Sequence, residues 1–315
     1  MKVTIVGGSG VVGSAVGYRL AQDGLATEVV LFDIRRNLAE AHALDIEQAV
    51  VHRATTRVRG GDIEDTGGSD VVVVTASVPR HEVELSRREY LAVNLPLVLD
   101  MVGPLRAQSP SALWIIATSP VDPLVYLVGR TFYIPREKVI GLTRNDTSRF
   151  RWAIARTLSV PSTAVEAFVI GEHGETQVPI YSNIRVHGEP VVVGPEARRL
   201  IKSEMSGFFV KWNQLRPGRT AGWTSAESVG DIFASMAVDD GKAWPCSTRL
   251  EGEYGLKEVS LGVPLRLGGG KVKEIVELSL EPSERAALEA SAASIKEMIR
   301  DGEIQLAKGR ESDRD

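Results

Sequence analysis

Short, unbroken apolar runs punctuate the first 140 positions of the chain, and polar stretches with helical spacing separate them. A strand buried on both faces of a parallel sheet has apolar side chains on both, so it reads as a continuous run rather than as alternation. On that basis strands are predicted over 3–6, 28–32, 57–59, 70–75, 112–118 and 138–140, with helical stretches between them. The clearest run is Val71-Val72-Val73-Val74. In the stretch 86–108, Tyr90, Leu91, Leu95, Val98 and Met101 recur at helical intervals, and Pro96 predicts a kink or a break there. Past Gly141 the alternation of strand and helix lapses. A helix led by residues 145–151 and running to about 158 is expected, with Asp146 and Thr147 as capping residues. An apolar run at 165–170 reads as a further strand. Leu200, Ile201, Met205, Phe208, Phe209, Trp212 and Leu215 make a helical stripe of the kind that forms core or subunit interface, and the charged end 309–315 is expected to be loose. The pattern predicts an α/β chain: a doubly wound parallel sheet over 1–142, then a mixed α+β domain over 143–315, with a site in the cleft between them.

The first strand runs directly into Gly7-Gly8-Ser9-Gly10-Val11-Val12-Gly13 and a helix through about Gln22. Gly8, Gly10 and Gly13 satisfy G-x-G-x-x-G, in which glycines make the turn, admit a pyrophosphate to backbone N–H groups and let the helix approach the sheet. Asp33 ends the second strand twenty residues after Gly13, where an acid binds the adenosine ribose hydroxyls of NAD. Strand, glycine loop, helix and acid in this order predict a Rossmann-type nucleotide-binding half. Gly7, Gly10 and Gly13 also fit the spacing of short-chain reductases, which resemble one another in a Tyr-x-x-x-Lys pair. None of the six tyrosines has lysine four residues later, so that class is set aside.

Composition narrows the partners. Lys+Arg 37 against Asp+Glu 41 leaves a net charge of −4, with no basic excess for nucleic acid or an acidic membrane surface. Cys246 is the one cysteine, so neither an internal disulfide nor a zinc framework is expected. With no apolar run near the length of a membrane span and no signal-like start, a cytoplasmic protein acting on a small molecule is expected.

His173 is the histidine placed for chemistry, between Gly171-Glu172 and Gly174, where glycines free the backbone and let a substrate approach the ring. Together with Asp146-Thr147-Ser148-Arg149-Phe150, Val78-Pro79-Arg80, Thr118-Ser119-Pro120-Val121-Asp122, Val178-Pro179 and Gly262-Val263-Pro264, the chain resembles the malate and lactate dehydrogenase family over nearly its whole length. The resemblance implies an NAD-dependent 2-hydroxy-acid dehydrogenase. His173 would be the base for the substrate hydroxyl and Asp146 the holder of its other ring nitrogen. Arg149 would clamp the substrate carboxylate with two parallel hydrogen bonds. Arg87, on a closing loop of about 78–87, would polarise the carbonyl. The cofactor would lie on Gly8, Gly10, Val11, Val12, Gly13, Asp33, Thr75, Ala76, Asn94, Thr118 and Val121. A homodimer or homotetramer is also implied.

Four departures from the family pattern lie near the expected pocket: Ser119 for asparagine, Ser77 for glycine, Asn145 for leucine, and the segment 218–226. The loop 79–87 is one residue longer than usual. Counting forward puts Arg80 where malate enzymes read the substrate's far end, and counting back from Arg87 puts His81 there. Either cation favours an acidic far end, with oxaloacetate/malate first. Lactate, a sulfonate or phosphonate analogue, and a catalytically silent NAD-binding chain are the alternatives.

Overall fold

The computed structural model describes residues 1–78 and 86–312. Its first half contains strands β1 (Lys2–Val6), β2 (Glu28–Phe32), β3 (Arg57–Gly61), β4 (Val71–Val74), β5 (Leu113–Ile116) and β6 (Val139–Leu142). They are parallel, in the order β3-β2-β1-β4-β5-β6. This is the doubly wound order, and it reverses direction between β1 and β4, where such sheets open a crevice at their carboxyl ends. Every residue of β4 is 0% exposed, which is why its sequence shows no alternation. Helices α1 (Val11–Gln22), α2 (Arg36–Val50), α3 (Arg87–Gln108) and α4 (Val121–Thr131) make the crossovers.

The proline at 96 does not break its helix. α3 runs unbroken over Arg87–Gln108 with both Pro96 and Pro104 inside it. Each internal proline costs ~3 kcal/mol through a lost backbone bond and a steric clash. Leu91, Leu95, Val98, Val102 and Leu105 are all buried from the same helix, at about 1.5–3 kcal/mol apiece, so packing outweighs both prolines.

The second half begins with α5 (Arg144–Leu158), followed by β7 (Val165–Glu166), β8 (Val169–Gly171), β9 (Gln177–Pro179), β10 (Arg185–Val186) and β11 (Glu189–Pro190). It continues with α6 (Pro195–Gln214), α7 (Trp223–Val238), β12 (Ala243–Glu251), β13 (Lys257–Gly268), β14 (Lys271–Ile275) and α8 (Pro282–Ser312). β12 pairs antiparallel with β6, so one sheet runs on from the nucleotide-binding half through β12, β13, β8 and β9. The expected single strand at 165–170 is two strands: β7 joins β10 and β11 in a small separate sheet, and β8 joins β13 and β9. Val165, Ala167 and Val169 all serve a second core with Phe150, Ile154, Ile201 and Met205, which keeps the run apolar across the break. Residues 309–312 are also more ordered than expected, and 313–315 lie outside the described residues. α8 continues to Ser312, anchored by buried Leu288, Ala292, Ile295, Met298 and Ile299. Among the described residues no helix is long and apolar enough to cross a membrane.

Candidate active site

The carboxyl ends of β1, β4 and β5 bring three segments together. After β1, a Cβ on Gly8 would lie 2.8 Å from Leu31 Cβ, and one on Gly13 would lie 2.2 Å from Gly7 O, so these two glycines let loop and helix press on the sheet. Gly10 differs. A Cβ there would meet only Gly7 O, at 3.2 Å, so its smallness leaves open space at the start of α1, where the N–H groups of Val11, Val12 and Gly13 have no partner within the helix. Asp33 braces this loop: its Oδ2 accepts from Ser9 N–H at 3.0 Å and its Oδ1 from Arg35 N–H at 2.9 Å. Burial pushes the Asp33 carboxyl up, but these hydrogen bonds and the nearby Arg35 outweigh it and hold the group below the usual carboxylate range. Arg36, the first residue of α2, pairs with Glu40 and Asp62.

After β4 and β5, the Thr75 hydroxyl donates to Val6 O at 2.8 Å, and the Thr118 hydroxyl donates to Ala76 O at 2.7 Å. Asn94 of α3 ties the two segments, accepting from Val78 N–H at 2.9 Å and donating to Ser119 O at 2.7 Å. Ser119 is exposed, while Val121 is buried at the start of α4. A glycine loop with an open N-terminal cradle, an acid at the end of β2 and this strand-end shelf fit a dinucleotide.

The residues expected to form a relay meet across the chain. Asp146 does not cap α5. Its Oδ2 lies 2.5 Å from His173 Nδ1, and its Oδ1 accepts from Arg149 at 2.9 Å. Thr147 is also not a cap, because its hydroxyl accepts from Val169 N–H and fixes β8 onto α5. With Nδ1–H given to Asp146, His173 presents Nε2 as the basic nitrogen. Arg149 is largely buried, and burial draws it down from its ordinary value while Asp146 pulls it back. The Arg149 guanidinium also lies 4.8 Å from the ring centre of Phe208, so the expected core stripe on α6 turns this residue toward the site instead.

The glycines around His173 do different jobs. Gly171 has φ +84 and faces Ser291 of α8, so a side chain there would be both strained and crowded. A Cβ on Gly174 would sit 2.5 Å from Arg87 Cζ and 2.4 Å from Glu172 Oε1. That space therefore admits Arg87, whose guanidinium donates to His173 O at 2.6 Å with Glu172 3.6 Å away. Arg87 is the first residue of α3, entered through a Ser86–Glu89 capping box. Arg80 and His81 lie outside the described residues.

One acid was missed. Asp122, 1% exposed at the start of α4, accepts from His173 N–H at 2.7 Å. Burial pushes its carboxyl up to about 6, with Glu172 adding to the rise and Ser247 and His173 opposing it. Since this lies above the unfolded value, Asp122 favours folding most below about pH 4, and the contribution is lost as the pH rises through 6. The ionised form thus weakens the fold by about 3 kcal/mol at neutral pH. The sequence signal was its place in Thr-Ser-Pro-Val-Asp, read only as a family motif.

Two family models cover the chain: "lactate/malate dehydrogenase, NAD binding domain" matches residues 1–141, and "lactate/malate dehydrogenase, alpha/beta C-terminal domain" matches residues 143–305. The malate dehydrogenase of Chloroherpeton thalassium is 36% identical over 303 residues, spanning 94% of this chain and 97% of the relative. The chain belongs to the lactate/malate dehydrogenase family. Among solved structures, the malate dehydrogenase of Salinibacter ruber superposes with a TM-score of 0.88 at 30% identity, covering 98% of this chain and 100% of that one. The lactate dehydrogenase of Cryptosporidium parvum, complexed with lactic acid and β-nicotinamide adenine dinucleotide, gives 0.89 at 30% identity, covering 96% and 98%. This lactate/malate dehydrogenase homologue is thus an NAD-dependent 2-hydroxy-acid dehydrogenase.

Two of the four departures from the family pattern prove to be one. The Asn145 side chain donates to the Ser225 hydroxyl at 3.0 Å and accepts from the Ser228 hydroxyl at 2.8 Å, so the polar residue on α5 is matched by polar residues on α7. A buried amide left unmatched would cost ~1–3 kcal/mol. The same segment reaches the glycine loop after β1, where a Cβ on Gly222 would touch Val11. Ser77 is exposed, its hydroxyl on Val78 O.

Proposed function

We propose that the chain interconverts malate and oxaloacetate, with residues 1–142 holding NAD and residues 143–315 supplying the substrate half. The observation that carries the relay is the pair of short contacts that Asp146 makes, one to His173 and one to Arg149. In the oxidation direction His173 Nε2 takes the hydroxyl proton, and Asp146 stabilises the imidazolium without itself taking the proton. Arg149 binds the substrate carboxylate. Arg87, which donates to the His173 carbonyl at 2.6 Å, turns to the reacting oxygen when substrate is present. Bound NAD supplies the hydride acceptor, seated on the glycine loop, Asp33 and the shelf of Thr75, Ala76, Asn94, Thr118 and Val121. Asp33 accepts from a ribose 2′-hydroxyl and repels a 2′-phosphate.

The acidic far end of the substrate rests on Arg80 and His81, since a methyl pocket would leave a cation unpaired on closure at a cost of several kcal/mol. Relatives at 36% and 35% identity that carry the name malate dehydrogenase support the same reading. Oxidation of NADH against oxaloacetate, pyruvate and a 3-sulfonated 2-oxo acid tests it. Oxaloacetate is expected to have the highest kcat/KM, and NADPH is expected to serve less well than NADH. Preference for pyruvate would defeat the reading, and activity with none of the acids would favour a silent NAD-binding chain. If Arg80→Gln keeps full oxaloacetate selectivity, the role passes to His81.

The assembly is a two-fold homodimer or a tetramer of dimers, by the symmetry that dominates soluble oligomers. Light scattering is expected to give at least twice the chain mass, and a monomer would contradict it. The reducing cytoplasm suits a chain whose one cysteine, Cys246, is free and buried.

A further inference from the structure

His173 is held at three points, and only one of them was foreseen. Its ring is held by Asp146 and its carbonyl by Arg87, while its backbone N–H donates to Asp122 at 2.7 Å. Asp122 enters from the other half of the molecule, at the first turn of α4, so it links the nucleotide-binding half to the loop that carries His173. Its second oxygen, Oδ1, is buried without an ordinary hydrogen bond, as are the hydroxyls of Ser247 and Thr143. These groups share one floor. Ser247 lies opposite Gly141 and Gly262 in the sheet, Thr143 follows Gly141 by two, and a Cβ on Gly262 would lie 3.0 Å from both Thr143 Oγ1 and Gly171 O. Apolar residues of similar size would make a more stable floor. A fully buried carboxylate here asks for a role other than stability.

We propose that Asp122 is a positioning residue of the relay: its carboxylate fixes the main chain of His173 beneath the ring and, when charged, adds a second negative charge behind the imidazolium. The inference rests on the relay reading of His173. The groups that act electrostatically on Asp122 are His173 and Glu172, both in the loop after β8, while β12 offers the Ser247 hydroxyl and α3 reaches the same loop through Arg87. Burial favours the neutral form of Asp122 and Ser247 favours the charged one, so the working charge state depends on both.

The test is the pH profile of kcat/KM for malate oxidation in the full-length enzyme, with NADH affinity measured alongside. Asp122→Asn keeps an oxygen for His173 N–H but removes the charge. It is expected to lower kcat by roughly 10–100-fold, the range seen when groups that orient a metal-bound imidazole are removed. NADH affinity should hold, and the acid limb should move to lower pH, because the imidazolium loses a stabilising charge. Ser247→Ala removes a group that favours ionised Asp122, so a smaller share of Asp122 carries charge and its acid limb should also move to lower pH, by less than in Asp122→Asn. Loss of packing alone would lower turnover without moving either limb. An Asp122→Asn enzyme with wild-type turnover and an unmoved limb overturns the proposal, as does loss of NADH binding in step with turnover. Should Asp122→Asn fail to fold, Ser247→Ala decides alone, and a limb that stays or moves up overturns it. None of these outcomes bears on the His173 substitution, which tests the relay separately.

Discussion

Replacing His173 by asparagine is expected to lower turnover by at least ~10²–10⁴, the usual contribution of a positioned general acid/base, while NADH binds as before. The geometry separates the two effects. His173 contacts Asp146 of α5, Asp122 of α4 and Arg87 of α3, whereas the glycine loop and Asp33 stand at the ends of β1 and β2. Asparagine keeps the backbone N–H that Asp122 accepts and the carbonyl that Arg87 holds, and can still offer Asp146 an N–H. It cannot take a proton from a hydroxyl near neutral pH. Stopped-flow turnover with NADH titration checks both halves of the statement, and a variant that keeps its turnover would show that the relay is wrongly assigned.

The second large effect is expected from Arg149→Lys, a change that preserves charge. Arg149 spans two partners at once, with one nitrogen on Asp146 at 2.9 Å and its face over Phe208. A planar guanidinium can do this and still offer a fork to a carboxylate, whereas an ammonium is a point charge that neither stacks well nor binds bidentately. The expected loss in kcat/KM is about 2–4 kcal/mol, or roughly 30- to 1,000-fold, most of it in the substrate KM. Lysine would also be buried where burial already draws the arginine down from its ordinary value, which weakens its charge further. Unchanged KM for the 2-oxo acid in Arg149→Lys would remove Arg149 from the carboxylate site.

Much of the nucleotide-binding half was legible because its signals are local. Four buried valines at 71–74, a glycine loop directly after a strand, and an acid at the end of the next strand all act within a few residues of themselves, and the structure places them in the doubly wound order. Where a local signal competed with packing, packing prevailed. Pro96 reads as a break because a proline removes a backbone hydrogen bond, yet α3 passes through it, since the apolar face of the helix is buried on both sides of the proline. The run 165–170 reads as one strand because periodicity reports burial and not partners. The two halves of that run share one core but pair with different strands, Val165 opposite Val186 and Val169 opposite Pro179.

The site divides in the same way. Asp146, Arg149 and His173 were identifiable from residue types and order, because acid/base chemistry and carboxylate binding admit few side chains. The resemblance paired Asp146 with His173 across 27 residues, but nothing along the chain showed that the same carboxylate would also hold Arg149. Asn145 was legible as an oddity but not as half of a matched set, since Ser225 and Ser228 lie at separations of 80 and 83 residues. Asp122 carried no warning beyond its place in Thr-Ser-Pro-Val-Asp. A carboxylate in the first turn of a helix ordinarily favours the helix dipole and faces water. Only the closure of β12 against β6 and of the His173 loop over α4 buries it, pushes its carboxyl up to about 6 and turns an unremarkable acid into a contact of the candidate base. Residue type and local order determined which chemistry this chain can perform. The long-range contacts of the tertiary structure decided which charges face one another, because the dielectric around a group and the partners within hydrogen-bond reach are set by what folds over it.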